Sequence, residues 1–334
     1  FIQPDTRRNE MLALMASGLE DISITRARLS WAIPFPIASS TGETQGTWVW
    51  FDALPNYLTA TGYPDGDWRR RWPADLHVVG KDINRLHSIV WPAMLQAAEL
   101  PLPGQVWAHG FVNFAGERFS KSAGVRLDVG EAAARFGPDA FRYFLMREVP
   151  FDTDGNFSWE RFEERYEADL ANALGNLASR TIAMVERYRG SEVPRGPRTA
   201  VDVADAADVA AYHGAVDGSR GYLLHEGLQA VWRMVARGNE YVDRQAPWKQ
   251  AKDPAQSAAL DETLASLIRQ IARVAVLLFP YLPGKASILW QQLGGPGELK
   301  DQRFADLMAL DADGWRVTKG EPLFPKESNR QVGA

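Results

Sequence analysis

The sequence predicts an α/β fold that gives way to an all-helical one. Two observations carry that reading. In residues 1 to about 150, short apolar runs alternate with Gly and Pro punctuation, and a strand, a helix and a strand follow at the spacing of a βαβ unit with a parallel sheet. From about residue 157 onward, apolar residues recur at helical spacing over long stretches. The change of pattern divides the 334 residues into two domains, 1–150 and 151–334, as expected at roughly 150 residues per domain.

The elements follow in order. Thr47–Phe51 is rich in β-formers and precedes a helical stretch at Asn56–Ala60. Leu76–Val79 is a short apolar strand ending at Gly80, and a helix pattern runs from Ile83 to about Ala98. Gln105–His109 and Phe111–Phe114 read as strands punctuated by Gly110 and Gly116. Ser158 is placed to cap a helix reaching about Arg189, although Arg161 stands where a full capping box needs Glu. After a Gly/Pro loop at 190–198, helix patterns span about Asp205–Val242, Ser257–Phe279 and Pro283–Leu293.

Composition excludes several classes. With 46% hydrophobic and 24% charged residues, the chain is neither disordered nor a rod. Lys+Arg number 37 against 42 Asp+Glu, a net charge of −5, which argues against blanket phosphate coating but leaves room for a local nucleic-acid site. The cysteine count is 0, so disulfides, a thiolate nucleophile and Cys-ligated zinc are excluded for these residues. No apolar run approaches the ~20 residues of a membrane span, and no leader pattern opens the chain, so a cytoplasmic location without membrane contact is expected. The chain opens at Phe1 within sequence that already reads as folded, the pattern of a fragment or a processed chain.

Several clusters suggest chemistry. Arg118-Phe119-Ser120-Lys121-Ser122 follows a strand pair and sets a mobile Lys between two hydroxyls, which suits a polyphosphate; the alternative is a solvated turn. Gly80-Lys81-Asp82 closes a strand and opens a helix, where Asp82 is either a ribose acceptor or an N-cap. Ile83 and His87 share a helix face and, with Trp50, Ala53 and Tyr57, form either an apolar pocket or a plain core. Asp169, Asn172, Asn176 and Arg180 lie on one helical stripe, and Trp248 after Pro247 is either core or a stacking platform.

Taken in order, these pieces resemble the methionyl-tRNA synthetases, a class I aminoacyl-tRNA synthetase family. The resemblance runs through Gly18–Arg26, Trp31–Pro36, Trp48–Leu54, Gly80–Ala93, Arg118–Ser122, Asn176–Arg180, Ala246–Trp248 and Gly320–Pro325. It implies the second half of a Rossmann-like catalytic domain, with its signature loop at 118–122, followed by an α-helical anticodon-binding bundle with a C-terminal return segment. The implied activity is ATP-dependent activation of methionine and its transfer to tRNA(Met), with Mg²⁺ held by the phosphates.

By the same resemblance, Trp50, Ala53, Leu54, Tyr57, Ile83 and His87 would form the methionine pocket. Gly80, Asp82 and Val112 would meet the adenosine, and Lys121, Ser120 and Ser122 the triphosphate. Asn176, Arg180, Pro247 and Trp248 would meet the CAU anticodon. Arg118 and Phe119 replace the usual Lys and Met of the signature, and Ala32 replaces a Gly. No His-Ile-Gly-His-like stretch occurs here, and the family's zinc knuckle lies upstream. The chain is therefore expected to need an N-terminal half as partner and to carry no zinc site of its own. Two rivals stay open: a tRNA-binding module without catalysis, and a synthetase for another amino acid.

Overall fold

The computed structural model of the chain describes residues 1–29, 31–40, 42–114, 117–118, 129–219 and 221–326. The expected α/β segment followed by a helical segment is what forms. The chain packs as two compact units, Phe1–Phe111 and Val112–Ala334. The packing boundary precedes the change of sequence pattern near 150. The reason is that Phe141, Tyr143 and Phe144 of the Pro138–Glu148 helix join the same core as Phe157, Phe162 and the long helices.

The first unit holds a parallel three-stranded sheet in the order Ile2–Gln3, Val106–His109, His77–Gly80. The expected βαβ unit is its centre: His77 to Gly80 pair in parallel with Val106 to His109, and the helix between them crosses over from Lys81 to Ala97. Along the His77–Gly80 strand, His77 and Val79 are buried and Val78 is exposed, the period-2 alternation of a pleated strand. The Ile2–Gln3 strand and the Asp5–Ala16 helix were not evident from sequence pattern.

One strand expectation is corrected. Thr47–Phe51 is not a continuous strand: Gly46–Thr47 is extended, and Val49–Ala53 is helical. The aromatic spacing explains this. Trp50 and Leu54, four apart, meet in one apolar cluster, and Trp48 and Phe51, three apart, line a cavity that adjoins it, spacings that a helical turn brings to common faces.

In the second unit Val112–Phe114 pairs in parallel with Gly155–Phe157 and antiparallel with Glu117–Arg118. Ser158 accepts from the Arg161 backbone N–H at 3.3 Å and starts a helix that continues to Arg189, where left-handed Gly190 ends it. Its middle, Tyr166–Gly175, is π-helical. The single helix pattern expected over Asp205–Val242 is corrected to two helices, Ala200–Val216 and Leu224–Gln245. Gly218 at φ 83° and Gly221 at φ 100° adopt backbone that a helix cannot contain and turn the chain between them. The Ser257–Leu278 helix is buried almost all round at the centre of the bundle. The return segment closes the unit: Phe324 is 4% exposed beside Tyr166, whose hydroxyl donates to the Pro325 carbonyl at 3.0 Å.

Candidate active site and anticodon interface

The first unit builds an aromatic cage from four segments. Trp50 and Tyr57 come from the helical turns after the Gly46–Thr47 strand, His77 from the edge strand, and His87 and Trp91 from the crossover helix. That helix is π-helical over Leu86–Val90, which carries His87; such extra-residue turns often re-aim a side chain at a functional position.

Hydrogen bonding fixes the tautomer. His87 Nδ1 donates to the Ile83 carbonyl at 3.0 Å, because a carbonyl can only accept. Burial holds the His87 pKa below its ordinary value, the Ile83 hydrogen bond opposing that shift, so the ring is neutral at pH 7. Nε2 is then an acceptor, and the Tyr57 hydroxyl donates to it at 2.9 Å. Burial pushes the Tyr57 pKa up, so this hydroxyl keeps its proton. Trp50 meets the His87 ring edge-on with centroids 6.2 Å apart. The result is an uncharged aromatic cage held by two defined hydrogen bonds.

The remaining expected pocket residues divide. Leu54, at 1% exposure, belongs to the core with Leu58, Trp68, Trp72, Trp91 and Leu95. The Ile83 side chain packs on Val79, Val106 and Ala108, and its contribution to the cage is the carbonyl that holds His87. Ala53 lines a cavity of about 610 Å³ with Pro34, Phe51 and Pro55, a lining that does not include Tyr57 or His87.

At the strand end, Gly80 occupies the N-cap position of the Lys81–Ile83 turn, so Asp82 is not an N-cap. A Cβ on Gly80 would lie 2.7 Å from Asp82 Oδ1, so the glycine admits the carboxylate close over the backbone. Asp82 is exposed and available. Val112 belongs to the second unit, where it pairs with Gly155. Ser120, Lys121 and Ser122 lie outside the described residues.

On the helical unit, Asn176 is exposed at the first turn after the π segment, and Arg180 follows one turn later on the same face. The Arg180 guanidinium lies 5.7 Å from the Trp248 ring centroid and 3.2 Å from Asp243. Trp248 is 36% exposed and so is not a core residue, whereas Pro247 is buried and anchors the turn beneath it. Ala246, at φ 47° and ψ 60°, ends the Leu224–Gln245 helix and turns the chain into Pro247–Gln250. A part-exposed indole beside an Arg is a surface on which an unpaired base can stack.

Sequence reasoning missed two groups. His77 closes the cage behind Tyr57, and its signal was the alternation of the strand. A buried ionic cluster joins Asp202, Asp205 and Asp208 to Arg233, Arg237, Arg269 and Arg273. Its signal was acidic residues three apart and arginines four apart within otherwise apolar helices.

Comparison with known proteins places the chain in a family. Residues 3–182 match the family model for class I tRNA synthetases (M), and residues 199–334 match the anticodon binding domain of methionyl tRNA ligase. The chain therefore belongs to the class I tRNA synthetases, and within that class to the methionyl group. It is 41% identical to the methionine–tRNA ligase of Brucella melitensis over 336 residues, covering 98% of this chain and 63% of that protein. With the ligase of Caldanaerobacter subterraneus it shares 39% identity, covering 98% of this chain and 51% of that protein. The solved Mycobacterium tuberculosis methionyl-tRNA synthetase in complex with methionyl-adenylate superposes with a TM-score of 0.87 at 37% identity, covering 97% of this chain and 64% of that one. The chain thus spans between about half and two thirds of the length of these relatives.

Proposed function

We propose that this chain supplies the second part of the catalytic domain and the anticodon domain of a methionine–tRNA ligase. The observation that carries the reading is the neutral Tyr57–His87 pair, hydrogen-bonded at 2.9 Å within aromatic walls. It is supported by likeness to a synthetase solved with methionyl-adenylate, which contains both a methionine side chain and an AMP moiety.

In this reading the methionine side chain enters the cage beside Trp50, Tyr57 and His87, with Ala53, Leu54 and Ile83 shaping its surroundings. Gly80 and Asp82 bind the adenosine of ATP, the glycine by close backbone approach and the carboxylate by accepting from ribose hydroxyls. The methionine carboxylate attacks the α-phosphorus, the bond to the bridging oxygen breaks, and pyrophosphate leaves. Lys121, with Ser120 and Ser122, stabilises charge as it moves onto the departing pyrophosphate. The terminal ribose hydroxyl of tRNA(Met) then attacks the activated carbonyl carbon and AMP leaves. The reading gives Mg²⁺ to the phosphates of ATP. Asn176, Arg180 and Trp248, the last anchored by Pro247, read the CAU anticodon.

The whole enzyme also needs the sequence that its longer relatives carry beyond this chain. A cytoplasmic site of action follows from the role in translation. Amino-acid-dependent ATP–pyrophosphate exchange by the full-length gene product tests the reading. Methionine alone is expected to drive exchange; exchange driven by a different amino acid would overturn the assignment.

A further inference from the structure

The Tyr57–His87 pair leaves a question of chemistry. Its single hydroxyl proton is spent on His87 Nε2, and the Nδ1 proton is spent on Ile83. A thioether and a methylene of similar size are separated only weakly by an apolar wall. A polar atom with an unused hydrogen-bonding capacity separates them better.

His77 has such an atom. Its ring lies 4.4 Å from Tyr57 and 6.1 Å from His87, centroid to centroid, and the residue is 6% exposed. Its Nε2 is buried and has no hydrogen-bond partner among the described residues. A buried polar group left unpaired is costly, and phenylalanine would fill the same space without that cost. Stability therefore does not account for an imidazole at this position. Trp91 Nε1, a donor and never an acceptor, is likewise buried and unpaired in the same cage, with its ring 6.2 Å from Tyr57. Two buried nitrogens without hydrogen-bond partners in one aromatic cage call for an explanation that packing does not give.

We propose that His77 is a further specificity-determining residue of the amino-acid pocket, its unpaired Nε2 giving the cage its preference for a thioether over a methylene. This rests on the reading of the cage as the amino-acid site. The test measures equilibrium binding of methionine and of norleucine, with melting curves, on the full-length gene product. His77→Phe keeps a flat ring against Tyr57 and removes the nitrogen. The expected result is an unchanged or raised Tm, a methionine Kd raised about fivefold, the factor of one modest hydrogen bond, and an unchanged norleucine Kd. Equal weakening of both ligands would reduce His77 to packing and overturn the proposal, as would no change in either. Should the Phe variant not fold, His77→Gln, which keeps a polar atom, is expected to retain the preference, and its loss there would count against the idea. Tyr57→Phe separates the two levels. If it weakens methionine binding while His77→Phe does not, only the role of His77 fails; if neither does, the pocket itself is elsewhere.

Discussion

An imidazole buried among aromatic rings stays neutral, and His77 and His87 both follow that rule. Burial first, and the neighbouring His87 second, lower the His77 pKa from 6.5 to about 4. The sign of the consequence is fixed by linkage. Between these values the unfolded chain binds a proton that the folded chain does not, so the contribution of His77 to stability is complete above about pH 6.5 and falls as the pH drops toward 4. We expect the urea midpoint at pH 4.5 to lie below that at pH 7, and His77→Phe to reduce the difference; equal midpoints in the native protein would contradict the buried neutral cage. At the signature loop the expectation concerns rate. Lys121→Ala is expected to slow methionine activation about a hundredfold, roughly 3 kcal/mol, with methionine affinity nearly unchanged, because its charge matters where charge is relocating. Pre-steady-state kinetics showing an unaltered rate would remove Lys121 from the chemistry. At this scale spacing was an incomplete guide. Ile83 and His87 could be placed on one face, but nothing in the sequence showed that the Ile83 carbonyl would fix the His87 tautomer, or that Leu54 would be core. Those outcomes depend on three-dimensional packing that four-residue spacing does not encode.

Helices with strong caps and long apolar stripes were legible, and those whose boundaries depend on backbone sign were not. Ser158 and Gly190 announced the limits of the 159–189 helix, whereas Gly218 and Gly221 looked tolerable within an unbroken pattern until their positive φ split it. The buried ionic cluster shows the same limit. Burial works against ionisation of Asp202, yet hydrogen bonds from Arg269, the Thr199 N–H and Arg273 hold its pKa well below the usual carboxylate range. Arg273 is fully buried between Asp202 and Asp205, at 2.8 and 3.0 Å. Arg273→Met leaves these carboxylates short of a partner and is expected to destabilise the helical unit by about 3–5 kcal/mol. Chemical denaturation reads this, and an unchanged midpoint would show the cluster to be energetically idle. The Trp248 turn gives the opposite expectation. Because the indole is part-exposed beside Arg180, Trp248→Ala is expected to keep the Tm and ATP–pyrophosphate exchange while lowering tRNA charging about tenfold, within the ~1–3 kcal/mol of one stacked base. Parallel loss of all three would instead mark Trp248 as packing.

For the molecule as a whole, the net charge of −5 does not preclude an RNA-binding reading, since the proposed anticodon platform is local: one Arg, one Asn and one part-exposed indole. The two family models match the chain in order, at 3–182 and 199–334, and the chain spans 63% and 51% of the length of the Brucella melitensis and Caldanaerobacter subterraneus relatives. The central claim is that one chain joins the selection of an amino acid to the reading of an anticodon. Charging of tRNA(Met) with labelled methionine by the full-length gene product, compared with the same tRNA carrying an altered anticodon, tests that claim most directly. The account predicts methionyl-tRNA with the CAU anticodon and a fall of at least tenfold when it is changed. RNA binding without an aminoacyl ester, or esterification by another amino acid, would contradict it.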